Sequence, residues 1–124
     1  MADEEGTIMF VCTHSSDDAE RAAMPFVMAC GAMAMDVKAT IVLQGQGVYI
    51  AKRGYVDNMP PPGGFAPMKK LLADFLELGG ELRVCGPCIK ERNIQESDFV
   101  PGAQVTAAGE LALDAIEAKA VFTY

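Results

Sequence analysis

Thr7-Ile8-Met9-Phe10-Val11-Cys12-Thr13-His14-Ser15-Ser16-Asp17-Asp18-Ala19-Glu20 decides the fold. Its first six residues form a nearly continuous apolar run with β-branched and aromatic members, the pattern of a strand buried on both faces. Ser15, Ser16 and Asp17 are all helix N-cap types, and Glu20 follows Asp17 in capping-box spacing. A buried strand that feeds directly into a helix is the opening of a βαβ pattern, and the pattern repeats along the chain.

The helix should run to about Met35. Residues 22–35 are apolar all round, without the polar stripe of a surface helix, so they are expected to be buried on nearly every side. Pro25 should kink this helix or mark a late start. Residues 37–43 read as a second strand, Gly45-Gln46-Gly47 as a tight turn, and 48–53 as a short helix. Between Gly54 and Pro67 stand Pro60, Pro61, Pro62 and Pro67 with Gly63 and Gly64, which predicts a surface loop without regular structure. Met68, Leu71, Leu72, Phe75 and Leu76 keep helical spacing up to the stop at Gly79-Gly80. Strands are then predicted at 81–85, 104–106 and 120–124, with a short helix near 86–92 and another over 110–118. Strands alternating with helices imply right-handed crossovers and a three-layer α/β/α sandwich around a parallel sheet of about five strands. The 124 residues make a single domain.

Composition narrows the function. Hydrophobic residues make up 51% of the chain against 22% charged, and the mean hydropathy is +0.18, a surplus that points to a subunit interface. Ten Lys and Arg against 17 Asp and Glu give a formal charge of −7 with no basic cluster, which argues against a nucleic-acid partner. The opening residues are acidic where a secretory signal is basic, and there is no apolar run long enough to span a bilayer. A cytoplasmic protein without membrane insertion is expected. In that compartment Cys12, Cys30, Cys85 and Cys88 are better read as thiols than as a disulfide framework.

Ligands and reactive groups in parallel sheets collect beyond the carboxyl ends of the strands, where Cys12, Gly45, Gly47 and Cys85 all fall. Cys85 ends a strand and Cys88 lies in the first turn of the helix that follows, next to Lys90 and Arg92, a setting that favours a thiolate. Cys85 and Cys88 are therefore the candidate reactive residues, with Arg92, His14, Cys12, Gly45 and Gly47 as supporting ones. His14 reads either as a helix-capping turn residue or as an edge residue titrating near neutrality. Cys30 and the methionines Met24, Met28, Met33 and Met35 read as packing. Gly45-Gln46-Gly47 lacks the rest of a nucleotide-binding motif. No cofactor is expected; zinc held by Cys12, His14, Cys85 and Cys88 is the alternative.

The segment Leu82-Arg83-Val84-Cys85-Gly86-Pro87-Cys88-Ile89-Lys90-Glu91-Arg92-Asn93-Ile94 resembles the cysteine segment of the DsrE/DsrF-like family. The first strand with its Thr-His-x-x-Asp-Asp helix start, the turn at Gly45-Gln46-Gly47 and the ending from Gly109 to Tyr124 are similar too, so nearly the whole chain is covered. The resemblance implies a five-stranded parallel sheet and a homotrimer or homohexamer. It implies Cys85 as a sulfur-carrying position, Cys88 as a second cysteine of some branches, and Arg92 as the basic residue after them. It also implies donor and acceptor proteins for the sulfur, and a carrier rather than a stand-alone enzyme. The family's strand order would set Cys12 and Cys85 two strand spacings apart, roughly 10 Å, which weakens the zinc alternative. Cys-Gly-Pro-Cys is also the thioredoxin tetrapeptide, but the chain has no tryptophan to precede it. Two other functions remain open: a Cys85/Cys88 dithiol-disulfide oxidoreductase, and a non-catalytic oligomeric binding module.

Overall fold

The computed structural model describes residues 6–124, so the acidic opening read against a secretory signal lies outside the described residues. Five strands, β1 (Thr7–Cys12), β2 (Lys38–Leu43), β3 (Glu81–Cys85), β4 (Ala103–Thr106) and β5 (Ala120–Thr123), form one sheet in the order β4-β3-β2-β1-β5. Every pairing is parallel. Four α-helices connect them: α1 (Ala19–Ala34), α2 (Met68–Glu77), α3 (Gly86–Glu91) and α4 (Ala108–Glu117).

The order explains which face each helix takes. From β1 to β4 the chain steps in one direction, so right-handed crossovers put α1, α2 and α3 on one face. The return from β4 to β5 reverses the direction and puts α4 on the other. Packing agrees. Phe10, Cys12, Ile41, Leu43, Leu82 and Val84 share a core with Phe26 of α1, Phe75 of α2 and Ile89 of α3. Met9, Val11 and Val42, which alternate with them, pack instead against Leu111, Ala115 and Ala118.

Several details depart from the sequence reading. Asp18, not Asp17, caps α1: its carboxylate accepts the Arg21 backbone N–H at 3.0 Å, because a 3₁₀ turn over Ser16–Asp18 shifts the helix start. That cap fixes the start upstream of Pro25, so the helix passes through Pro25 rather than beginning late. The apolar stretch is not buried all round in the single chain, since Met28 on α1 and Met35 at its C-cap are 42% and 76% exposed. The short helix after β2 is a 3₁₀ helix, Gly45–Ala51. The proline-rich loop holds a 3₁₀ turn of its own, Tyr55–Asn58, which follows Gly54 at φ 85° and is held by Tyr55 through the contacts described below. No helix among the described residues is long and apolar enough to cross a membrane.

Candidate functional site

Cys85 is the last residue of β3 and the N-cap of α3. Gly86 takes the first helical position and Pro87 the second; the first turn needs no N–H from either. This tight passage from strand to helix brings Cys88 back over Cys85, with Cα atoms 5.3 Å apart, and their sulfurs are joined as a disulfide. Each sulfur also accepts a backbone N–H. Cys88 N–H donates to Cys85 Sγ at 3.4 Å, and Gly45 N–H donates to Cys88 Sγ at 3.3 Å. Both cysteines are half-buried.

The glycine turn after β2 is what aims the second donor. Gln44 N–H bonds the Cys12 carbonyl at 3.0 Å, and Gly47 N–H bonds the Gln44 carbonyl at 2.9 Å. Gly45 adopts φ +54°, which an L side chain rarely takes, and Gly47 lies so close to β1 that a Cβ there would collide with the Cys12 carbonyl oxygen. The two glycines of the motif thus do different things: one turns the chain, the other lets it pass.

Cys12 is positioned by the same edge but belongs to another environment. It pairs in register with Leu43, which pairs with Val84, so by strand alternation it shares a face with Val84. It is fully buried, and its Sγ lies 3.4 Å from the His14 carbonyl and 3.8 Å from that of Ala22. Burial pushes its thiol up to about 12; the His14 carbonyl contact opposes this and the Asp17 carboxylate adds to it. Cys12 is therefore protonated at neutral pH. Cys30 is half-buried on α1, and burial, helped by Asp74, also raises its thiol. Among the described residues no group of three or more His, Cys, Asp or Glu is placed to hold a metal ion.

His14 pairs with Asp17, with Nδ1 and Oδ2 2.7 Å apart. Asp17 Oδ1 accepts Ser15 N–H at 2.7 Å. Burial alone would raise the Asp17 carboxyl, but these two hydrogen bonds and the nearby imidazole bring it below its ordinary value. Arg92 is close to Cys88 without touching its sulfur. Its guanidinium donates to the Cys88 carbonyl at 3.1 Å and lies 5.9 Å over the Tyr49 ring. Tyr49 stacks on Tyr55, whose hydroxyl donates to Ser16 Oγ at 2.8 Å and meets the buried Ser15 Oγ at 3.2 Å. A line of contacts therefore runs along the carboxyl edge from Cys88 through Arg92, Tyr49 and Tyr55 to Ser15. Sequence reading missed the two tyrosines; their only signal was that Tyr49 follows the glycine turn by two residues. An open cavity of about 690 Å³ flanks the cysteine turn, lined among others by Gly86, Pro87, Lys90 and Val105.

The DsrE/DsrF-like family profile matches residues 6–124, all of the described chain. The chain belongs to the DsrE/DsrF-like family. An uncharacterised protein of Methanocaldococcus jannaschii is 30% identical over 92% of this chain and 96% of its own length. An uncharacterised protein of Methanopyrus kandleri is 30% identical over 74% of this chain and 72% of its own. Among solved structures, the ychN protein from E. coli superposes with a TM-score of 0.79 at 18% identity, over 96% of this chain and 99% of that one. A protein of unknown function from Methanobacterium thermoautotrophicum superposes with a TM-score of 0.74 at 15% identity and the same coverage. At such identities these two likenesses speak for the fold of this DsrE/DsrF-like chain, which is the five-stranded α/β/α sandwich expected from its sequence.

Proposed function

We propose that this DsrE/DsrF-like protein carries sulfane sulfur as a persulfide on Cys85. The observation that carries the reading is the pair of sulfurs at the end of β3, each accepting a backbone N–H. Such donors stabilise a sulfur anion by hydrogen bonding to its charged form. The Cys85 thiolate attacks the outer sulfur of a donor persulfide, forming Cys85–S–SH and releasing the donor's thiolate. An acceptor thiolate then takes the outer sulfur and leaves Cys85 as a thiolate again. If no acceptor arrives, the Cys88 thiolate attacks the inner sulfur, closing the Cys85–Cys88 disulfide and expelling hydrosulfide. Arg92 acts on this chemistry by holding α3 through the Cys88 carbonyl. We place the protein in a reducing cytoplasm and assemble it as a homotrimer or homohexamer that meets separate donor and acceptor proteins.

Intact-mass analysis after incubation with a persulfide donor tests the reading. A gain of one sulfur, mapped to the peptide containing Cys85 and lost in Cys85→Ala, is the expected result. Absence of the adduct in reduced Cys88→Ala, which has no second thiol to expel the sulfur, under every donor tried refutes it. The disulfide itself favours a second reading, a dithiol-disulfide oxidoreductase in which Cys85 attacks a substrate disulfide and Cys88 resolves the mixed intermediate. Turnover of a model disulfide by wild type, stalled as a trapped adduct in Cys88→Ala, is its signature.

A further inference from the structure

The 3₁₀ helix Gly45–Ala51 meets the cysteine helix α3 at two points, and both lead to Cys88. At its start, Gly45 N–H donates to Cys88 Sγ at 3.3 Å. Further along, the Arg92 guanidinium lies 5.9 Å over the Tyr49 ring and donates through Nη1 to the Cys88 carbonyl at 3.1 Å. One contact reaches the sulfur of Cys88 and the other its backbone. Cys85 Sγ is served from inside its own turn instead, by Cys88 N–H at 3.4 Å.

The burial pattern turns Tyr49 toward this edge. Its neighbours Val48 and Ile50 are fully buried in the same core as Ile89 of α3, and Tyr49 between them is left half-buried. Holding a long arginine side chain in one rotamer costs conformational entropy, and an aromatic ring beneath the guanidinium offsets that cost. The ring is itself braced. Tyr55 stacks on it with centroids 5.3 Å apart and planes at 18°, and the Tyr55 hydroxyl donates to Ser16 Oγ at 2.8 Å at the entry to α1.

We propose that Tyr49, braced by Tyr55, is a positioning residue for Cys88: through Arg92 it holds α3 against the 3₁₀ helix, so that Gly45 N–H stays on Cys88 Sγ when the disulfide is open. The consequence rests on the sulfur-carrier reading and deepens it. In that reading the Cys88 thiolate attacks the inner sulfur of Cys85–S–SH, the Cys85–Cys88 bond forms, and hydrosulfide leaves with the electron pair of the broken S–S bond. Loading at Cys85 is then independent of Tyr49, and release by Cys88 depends on it.

The pH profile of thiol alkylation in the reduced protein tests the positioning without any persulfide. Cys88 is followed in Cys85→Ala and Cys85 in Cys88→Ala, by peptide mapping, with circular dichroism to verify folding. Tyr49→Leu should move the Cys88 midpoint up by roughly 0.5 to 1 unit, because a hydrogen bond to the charged sulfur is weakened, and should leave the Cys85 midpoint in place. Tyr49→Phe, which keeps the ring, should match wild type. Arg92→Lys keeps the charge but loses the planar guanidinium, so it should reproduce the shift, and it decides the matter if Tyr49→Leu does not fold. With both thiols present and Cys85 loaded, Tyr49→Leu should release hydrosulfide several-fold more slowly at an unchanged loading rate. An unmoved Cys88 midpoint, an equal shift at Cys85, or a Tyr49→Phe variant as impaired as Tyr49→Leu overturns the proposal. If Cys88→Ala takes up no persulfide, the carrier reading fails, and the alkylation profiles still decide the role of Tyr49.

Discussion

Cys12 offers a measurement in which one buried thiol should govern how stability responds to alkali. In the unfolded chain its thiol has the ordinary value of 9.0, and in the fold burial pushes it up to about 12. Below pH 9 both states hold the proton, and this group contributes no slope. Above pH 9 the unfolded chain releases the proton and the native protein keeps it, so stability falls as pH rises until the native thiol itself ionises. The slope is about 1.4 kcal/mol per pH unit, and over the gap between 9.0 and about 12 the accumulated loss is about 4 kcal/mol. Cys12→Ala removes it. Urea unfolding at pH 8, 9, 10 and 11, with the Cys85–Cys88 disulfide kept intact, provides the assay. At pH 8 the variant should be the less stable protein by about 1 kcal/mol, from the lost packing of the sulfur. By pH 11 the order should reverse, with wild type having lost about 2 to 3 kcal/mol more than the variant. Parallel pH profiles would refute the reasoning, because they would mean that the native thiol ionises as easily as the unfolded one.

Gly47→Ala should cost about 1 to 3 kcal/mol, because its Cβ meets the Cys12 carbonyl and the strand end must shift; thermal unfolding reads this directly. The same shift moves the Gly45 N–H away from Cys88 Sγ, so the variant's Cys85–Cys88 thiols should alkylate more slowly after reduction at pH 7. Asp18→Ala should lose about 1 kcal/mol by removing the cap on Arg21 N–H, as judged by denaturant midpoint. Native alkylation of the reduced protein at pH 8, followed by peptide mapping, should modify Cys85 and Cys88 readily and leave Cys12 unmodified; early labelling of Cys12 would contradict its burial. Asp17 should confer an acid-side dependence. Its lowered carboxyl stabilises the fold above the unfolded value, and this is lost as pH falls through the folded one, so Asp17→Asn should flatten the profile below pH 4.

The sheet was legible because its strands are short runs rich in β-branched and other apolar residues, several of them bounded by turn residues. Glu81-Leu82-Arg83-Val84-Cys85, for example, is bracketed by Gly80 and Gly86 and became β3 without adjustment. The position of Cys85 and Cys88 followed from that boundary. What could not be read were features set by contacts distant in sequence. The all-apolar stretch of α1 looked fully buried because periodicity reports which residues are apolar, not how many neighbours arrive to cover them. The capping residue shifted from Asp17 to Asp18 because Asp17 is engaged by His14 and Ser15 N–H. The Tyr49–Tyr55 stack was invisible because a proline-rich stretch carries no period from which a packed aromatic pair can be inferred.

Strand order also dictates when the sheet can be finished. β1, made early, borders β5, so one edge of β1 stays unpaired until Ala120–Thr123 has left the ribosome. Thr13 shows how late that closure is: its N–H and hydroxyl both wait for the carbonyl of Tyr124, at 3.1 and 2.7 Å. Until β5 is made the growing chain must therefore shield an apolar strand edge, and a polypeptide stopped short of Ala120 would present that edge to its neighbours as a template for aggregation.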